Sequence, residues 1–445
     1  MRFLSSIVLL VLATAGCGDD SGGGEVDAPG PAGPRVIPGG GIGDGPIDGV
    51  AYVYVIDDAT RAPIAGATVR VGTLEGTTDA AGLFTADGVS GPQTVAVKAS
   101  NYRSEVWVGA NGTNLTFALQ VAAQPSARSA TISGSLDLSS FTVPIGHTKY
   151  ASVGYSQTHD LDDPGNSIVT PDAMKACATG LSTTQPNNGP CNFTLEVRAG
   201  KVALLAPVFD VDMKGSPVDP SDDVVTLIGY AYKAGLTVAE NVDQTGVTLN
   251  ALDIGMQHEV TVDFGAPPSG HNTVAGVVGL DLGEDGILQV TIRTPTMATA
   301  LIPKPEAFAG SSYQLVGIAT KGDTPTAARS FVLRRGLTGT SLAAGSWLAA
   351  PGSPTITRTT AAWTAVPGAT VHGVEYAQGN ARLLNISVFD GSTEVTIPEL
   401  VAIPDGPILV VVQAIGAPGL DVTNFSLDAD EDKLVEVGAQ PVELP

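Results

Sequence analysis

The 445-residue sequence is short of basic residues, aromatics, cysteine and histidine, and each shortage closes off a class of function. Lysine and arginine number 22 against 45 aspartates and glutamates, a formal net charge of −23, and the basic residues cluster nowhere beyond Arg334-Arg335. Such a chain cannot neutralise a phosphate backbone or hold anionic head groups by charge, which argues against nucleic acid as a partner. The five histidines, His147, His159, His258, His271 and His372, are scattered. His258-Glu259 runs directly into the alternating Val260-Thr261-Val262, so the helical spacing of a His-Glu-x-x-His zinc site is missing. No Gly-x-Ser-x-Gly elbow occurs, and the nearest approach, Gly339-Thr340-Ser341-Leu342-Ala343, lacks the closing glycine. The glycine clusters sit in turn-like segments with no helix behind them to cradle a phosphate. With no catalytic constellation in view, the chain reads as a non-enzyme.

Long apolar runs and a sustained 3.6-residue period are also missing after residue 17. What is present is short runs of Val, Ile, Thr and Ala, punctuated by 54 glycines and 31 prolines together with Asn and Asp. Length and pattern together predict an all-β protein of several β-sandwich modules in series.

The amino terminus carries a basic Arg2, an apolar run from Phe3 to Ala13, and then Thr14-Ala15-Gly16-Cys17. This resembles the signal peptide and lipobox of a bacterial lipoprotein, with Thr14 standing where that family usually has leucine. The apolar run is too short for a permanent bilayer span. The resemblance implies that residues 1–16 are removed and that Cys17 is acylated, palmitate being one such chain. At roughly 0.8 kcal/mol per buried methylene, two or more chains hold a protein at a membrane. The implied location is the bacterial cell envelope, on the outer membrane or the periplasmic face of the inner membrane. Residues 17–48, with Gly22-Gly23-Gly24 and Gly39-Gly40-Gly41, predict a flexible, disordered linker behind the anchor.

In an oxidising envelope the two remaining cysteines, Cys177 and Cys191, are expected to pair. A loop of about 15 residues closed in this way contributes roughly 3 kcal/mol on the chain-entropy estimate. A metal site, with His159 as the nearest histidine, is the second reading. Two acidic clusters invite Ca²⁺: Asp160, Asp162 and Asp163 in one, Asp210 and Asp212 in the other. Hard cations take such oxygens from loops, whereas the plainer reading is turn residues bonding their own backbone. No other cofactor is expected.

From Gly49 the pattern changes. Gly49 to Val55 reads as a strand, Asp57 to Pro63 as a turn and Ile64 to Val71 as a second strand, followed by Thr78-Asp79-Ala80-Ala81-Gly82-Leu83-Phe84 and Asn101-Tyr102. Over residues 49–121 this series resembles the carboxypeptidase regulatory-like domain, a transthyretin-like sandwich. The resemblance implies an accessory module, and related starch-binding-like folds include carbohydrate binders. Tyr52, Tyr54, Tyr102 and Trp107 are the candidate sugar-stacking residues there, although aromatics are scarce and Tyr52 and Tyr54 share one strand face. A β-sandwich-like domain holding the disulfide is predicted over residues 127–268 and a β-rich domain over 271–350. Thr273-Val274-Ala275-Gly276 echoes Thr131-Ile132-Ser133-Gly134 as a short internal repeat. Residues 353–445, with Trp363 and the strand around Leu409 to Ala414, resemble a fibronectin type III or Ig-like sandwich, in which such a tryptophan fills the core.

The implied function is a non-catalytic envelope lipoprotein that displays β-sandwiches for adhesion, scaffolding or protein interaction, with carbohydrate binding as the alternative. Its partners are the membrane, reached through the lipid, and an envelope protein or polysaccharide. Cys17→Ser is expected to abolish metabolic labelling by palmitate and to move the protein from the detergent to the aqueous phase. A wild-type protein that stays aqueous, unacylated and uncleaved contradicts the anchor.

Overall fold

The structure, a computed structural model, describes residues 33–122, 128–159, 175–178, 191–214, 223–308 and 310–445. The predicted leader 1–16, Cys17, the side chain of Cys177, and Asp160, Asp162 and Asp163 lie outside the described residues. The chain is all-β and multi-modular, and among the described residues helix is limited to single turns such as α1 (Leu427–Asp430). No described helix is long and apolar enough to cross a membrane.

The first sandwich contains β1 (Gly41–Gly43), β2 (Asp48–Asp57), β3 (Thr68–Val71), β4 (Leu74–Thr77), β5 (Leu83–Ser90), β6 (Gln93–Lys98), β7 (Ser104–Ala110) and β8 (Asn114–Leu119). Period-two alternation on β2 sends Ala51, Val53 and Val55 into the core and leaves Tyr52 and Tyr54 half-buried on the outer face. β2 pairs antiparallel with β5 and parallel with β8, and β3, β6 and β7 cover the other side of the core. The Thr78–Phe84 turn closes as its residue types dictate. The Asp79 carboxylate accepts from the amides of Ala81 at 2.8 Å and Leu83 at 2.9 Å. Gly82 sits at φ +72°, and a Cβ there would lie 2.6 Å from the Val55 carbonyl oxygen.

Residues 33–48, predicted as part of the disordered linker, are built into this sandwich. β1 lies between β8 and β29 (Phe425–Ser426), and Ile37, Ile42 and Ile47 are buried. The glycines that read as flexibility permit close packing instead. A Cβ on Gly41 would meet the Phe425 carbonyl oxygen at 2.1 Å, and one on Gly39 would meet the Asp428 side chain at 2.1 Å.

The second unit is a seven-stranded sheet of β9 (Ser129–Leu136), β10 (Thr148–Tyr155), β11 (Lys175–Ala178), β12 (Cys191–Arg198), β13 (Gly200–Asp212), β14 (Val224–Val238) and β15 (Gln244–Ala251). The third comprises β16 (Gln257–Asp263), β17 (Thr273–Asp281), β18 (Ile287–Arg293), β19 (Thr299–Pro303), β20 (Ser312–Thr320), β21 (Arg329–Leu337) and β22 (Ser341–Ala343). The expected boundary at 268–271 is displaced, because β16 pairs with β19 and β22 and packs in the third core. The two units also share β13: Val202, Leu204, Ala206 and Val208 face the second core, while Ala203 and Leu205 face the third. The buried Arg198 side chain ties the units further, donating to the carbonyls of Ser156, Ala199, Lys201 and Asp285. The short repeat falls on β9 and β17, which differ in pairing. β9 has one parallel and one antiparallel neighbour, and β17 has two antiparallel ones.

The last sandwich holds β23 (Gly352–Ile356), β24 (Thr360–Thr364), β25 (Val371–Gln378), β26 (Ala381–Val388), β27 (Glu394–Thr396), β28 (Ile408–Gly416) and β30 (Glu436–Leu444). Trp363 fills its core, as the sequence predicts. The modules are not independent beads in series. A twelve-stranded sheet runs β18-β17-β20-β21-β30-β28-β25-β26-β7-β6-β3-β4, through the third, last and first units. β30 joins β21 to β28 with antiparallel pairing on both sides, and β26 joins β7 in parallel. Backbone hydrogen bonds therefore set the relative placement of these three units.

Trp107 reports on the first core, Trp347 on the third and Trp363 on the last. Thermal unfolding followed by fluorescence of single-tryptophan variants is expected to give coincident midpoints for all three. Midpoints separated by more than about 5 °C, the shift that roughly 1 kcal/mol produces in a small domain, would show that the shared sheet does not couple the units.

Candidate functional site

A cluster of buried charged residues gathers where the first and last sandwiches meet, apart from Lys149 and Arg198, which are buried in the second unit. β7 and β26 run side by side with Glu105 opposite Asn385, Val106 opposite Ile386 and Trp107 opposite Ser387. Alternation splits β7 between two cores: Val106 faces the last sandwich and Trp107 the first. Glu105 lies two residues from Trp107 and so shares its face. One strand further on, Glu375 of β25 lies opposite Asn385, so Glu105, Asn385 and Glu375 form a polar row across three strands.

Arg103 answers this row and is only 2% exposed. Its Nε donates to Glu105 Oε1 at 2.9 Å, and its Nη2 lies 2.7 Å from the same carboxylate. Asn385 Nδ2 donates to Glu105 Oε2 at 2.7 Å. Burial pushes the Glu105 carboxyl above its ordinary range and prevails over the opposing effects of Arg103 and Asn385. Arg382 Nε stands 3.6 Å from Glu375 and its Nη1 donates to Gln120 at 3.4 Å. Gln120 in turn donates to Asp58 at 3.3 Å. Asp58 is likewise raised by burial, against the nearby charge of Arg61. Arg61 bonds Asp58 at 2.9 Å and reaches Asp428 at 3.3 Å, so the polar chain crosses twice between the first sandwich and the C-terminal part of the chain.

Beside the polar row is an apolar cleft of about 80 Å³. Trp107, Phe117, Phe389 and Phe425 wall it. Trp107 stacks on Phe117 with centroids 3.9 Å apart and meets Phe389 edge-on at 5.8 Å. The segment after β28 supplies Leu420, Phe425, Leu427 and Leu434 to the cleft and is clipped down through the pairing of β29 with β1. The Ser426 hydroxyl adds a bond to the Pro38 carbonyl at 2.8 Å.

The sequence-predicted site residues fare unevenly against this geometry. Trp107 is 7% exposed inside the first core, which removes it from any surface sugar platform. Tyr102 donates its hydroxyl to Asp57 at 2.8 Å and packs against the same core. Tyr52 and Tyr54 lie on the outer face of the opposite sheet, so the four aromatics do not converge. Asp210 lies 2.9 Å from His147 Nδ1, and Asp212 bonds Lys214 Nζ at 2.5 Å, which gives both carboxylates protein partners. Among the described residues no three metal-ligating side chains converge. His159 reaches Asp281 at 2.9 Å. Cys191 is buried at the start of β12. Sequence reasoning missed Arg103, Glu105, Glu375, Arg382 and Asn385. The available signal was Arg103, Glu105 and Trp107 alternating along one strand, a pattern that normally marks a solvent face.

Glu105→Gln removes the anionic partner of a buried guanidinium and is expected to destabilise the protein by about 3–5 kcal/mol. Replacing the pair together, as Arg103→Met with Glu105→Met, is expected to recover most of that loss, because an apolar pair carries no desolvation cost. Chemical denaturation of these two variants beside the wild type checks both values.

No family model matches the chain, and no curated protein matches it in sequence. Among solved structures, the Bacillus anthracis TIE protein is similar over 66% of this chain and 50% of its own, at 10% identity and a TM-score of 0.14. This chain therefore spans about half of that neighbour's length. The major pilin subunit BcpA of Bacillus cereus is similar over 66% of this chain and 97% of its own, at 11% identity and a TM-score of 0.15. A putative cell adhesion protein of Parabacteroides distasonis is similar over 60% of this chain and 99% of its own, at 8% identity and a TM-score of 0.15. Likenesses of this size carry no argument about activity or partner, and the all-β fold rests on the strand pairing itself.

Proposed function

We propose that this chain is a non-catalytic protein of the bacterial cell envelope, held at a membrane by an acylated Cys17, that presents its β-sandwiches as one fixed scaffold for adhesion or protein interaction. The observation that carries the reading is the twelve-stranded sheet, which fixes the first, third and last units through backbone pairing. A display protein benefits from such rigidity, because a preorganised surface loses less conformational freedom on binding. The leader-like amino terminus supports the location, and the acidic balance supports solubility rather than a polyanionic partner. We further assign Cys177 as the partner of Cys191. The carbohydrate alternative is not carried forward, since its strongest candidate, Trp107, is a core residue.

In-cell cross-linking of the full-length protein, followed by affinity capture and mass spectrometry, tests the reading. Specific recovery of envelope proteins, lost when β30 is deleted, is the expected result. Recovery of cytosolic partners alone, or turnover of a substrate by the purified chain, would overturn it.

A further inference from the structure

The cleft between the first and last sandwiches combines an aromatic wall with one buried, unpartnered donor. Arg103 lines the cleft and is 2% exposed, and its Nη1 has no hydrogen-bond partner, while Nε and Nη2 are both committed to Glu105. An unmet buried donor costs on the order of 1–3 kcal/mol, and an acceptor placed there recovers part of that cost. Trp107, Phe117, Phe389 and Phe425 offer the rest of the occupant an apolar, aromatic surround. The volume of about 80 Å³, at roughly 10–15 Å³ per water-sized group, accommodates about five to eight non-hydrogen atoms.

We propose that this cleft is a binding site for a small neutral amide with a branched aliphatic or similarly compact apolar group, its carbonyl oxygen accepting from Arg103 Nη1. A neutral acceptor is chosen over a carboxylate because Glu105 already compensates the guanidinium at 2.7 Å and Glu375 stands in the same polar row. A second buried anion would be desolvated beside two carboxyl groups, whereas a carbonyl loses far less on leaving water. The inference is independent of the envelope reading, since it rests on the cleft alone.

The test uses the purified full chain and isovaleramide as probe, read by the NMR signal of the Trp107 indole N–H and assigned with Trp107→Phe. A saturable shift with a Kd on the order of 1 mM is expected, a value that modest ligand efficiency gives for so few atoms. Arg103→Gln is expected to weaken binding at least tenfold, but it also breaks the Glu105 pair and endangers the fold. Ala118→Leu, which fills the cleft from β8 and leaves the ion pair untouched, is therefore the second variant and is expected to abolish the shift. No saturable shift with the wild-type chain, or an unchanged one in folded Ala118→Leu, would overturn the site. Isovalerate binding as tightly as the amide would overturn the assignment of a neutral acceptor.

Discussion

The architecture depends on strands whose two faces are both buried, each in a different core. β7 places Val106 in the last sandwich and Trp107 in the first. β13 does the same for the second and third units, with Leu204 on one side and Leu205 on the other. A strand at the surface of a sandwich normally alternates apolar and polar residues, so that its module closes on its own. These strands are buried on both sides, and neither neighbouring unit completes its core without them. β30 extends the constraint by bridging β21 and β28, which draws the third unit into the same continuous sheet.

The buried polar row follows from the way the first and last sandwiches are joined. Parallel pairing of β7 with β26 involves residues 280 apart in sequence, and an apolar junction there would tolerate several registers. A slip by two residues would keep the faces but separate Glu105 from Asn385, and Arg103 with Glu105 would then be buried against unsuited neighbours. A buried ion pair stabilises little by itself, yet leaving one partner unmet is costly, so the pair penalises wrong registers more than it rewards the right one. The same logic applies to the clip of β1 on β29, where Gly39 and Gly41 allow backbone contacts that any larger residue would block. In both places specificity is set by what an alternative arrangement would leave clashing or unpaired.

Much of the local structure was legible in the sequence because its causes are local. Alternation in Val50 to Val55 reports a strand that turns every second side chain inward, and the continuous apolar run from Ile408 to Val412 reports one buried on both faces. Asp79 and Gly82 announce their turn because a short carboxylate can bond amides two and four residues on, and only glycine fits φ +72° against a carbonyl. Trp363 signals a core because a ring of that size in a short strand has few other places to go. The linker reading failed at Gly39-Gly40-Gly41, where composition could not distinguish freedom from close approach.

The sequence by itself determined that the chain is all-β, where most of its strands run and which turns connect them, because propensity and period act between near neighbours. Tertiary structure alone decided that the units share strands, that Trp107 belongs to a core rather than a surface, and that Arg103, Glu105 and Asn385 meet. Those outcomes depend on pairings such as Glu105 with Asn385 and Ile42 with Phe425, hundreds of residues apart. Period-two alternation specifies which face a side chain takes, but not which distant strand will cover that face, and the covering strand is what turns an apparent solvent side into an interior.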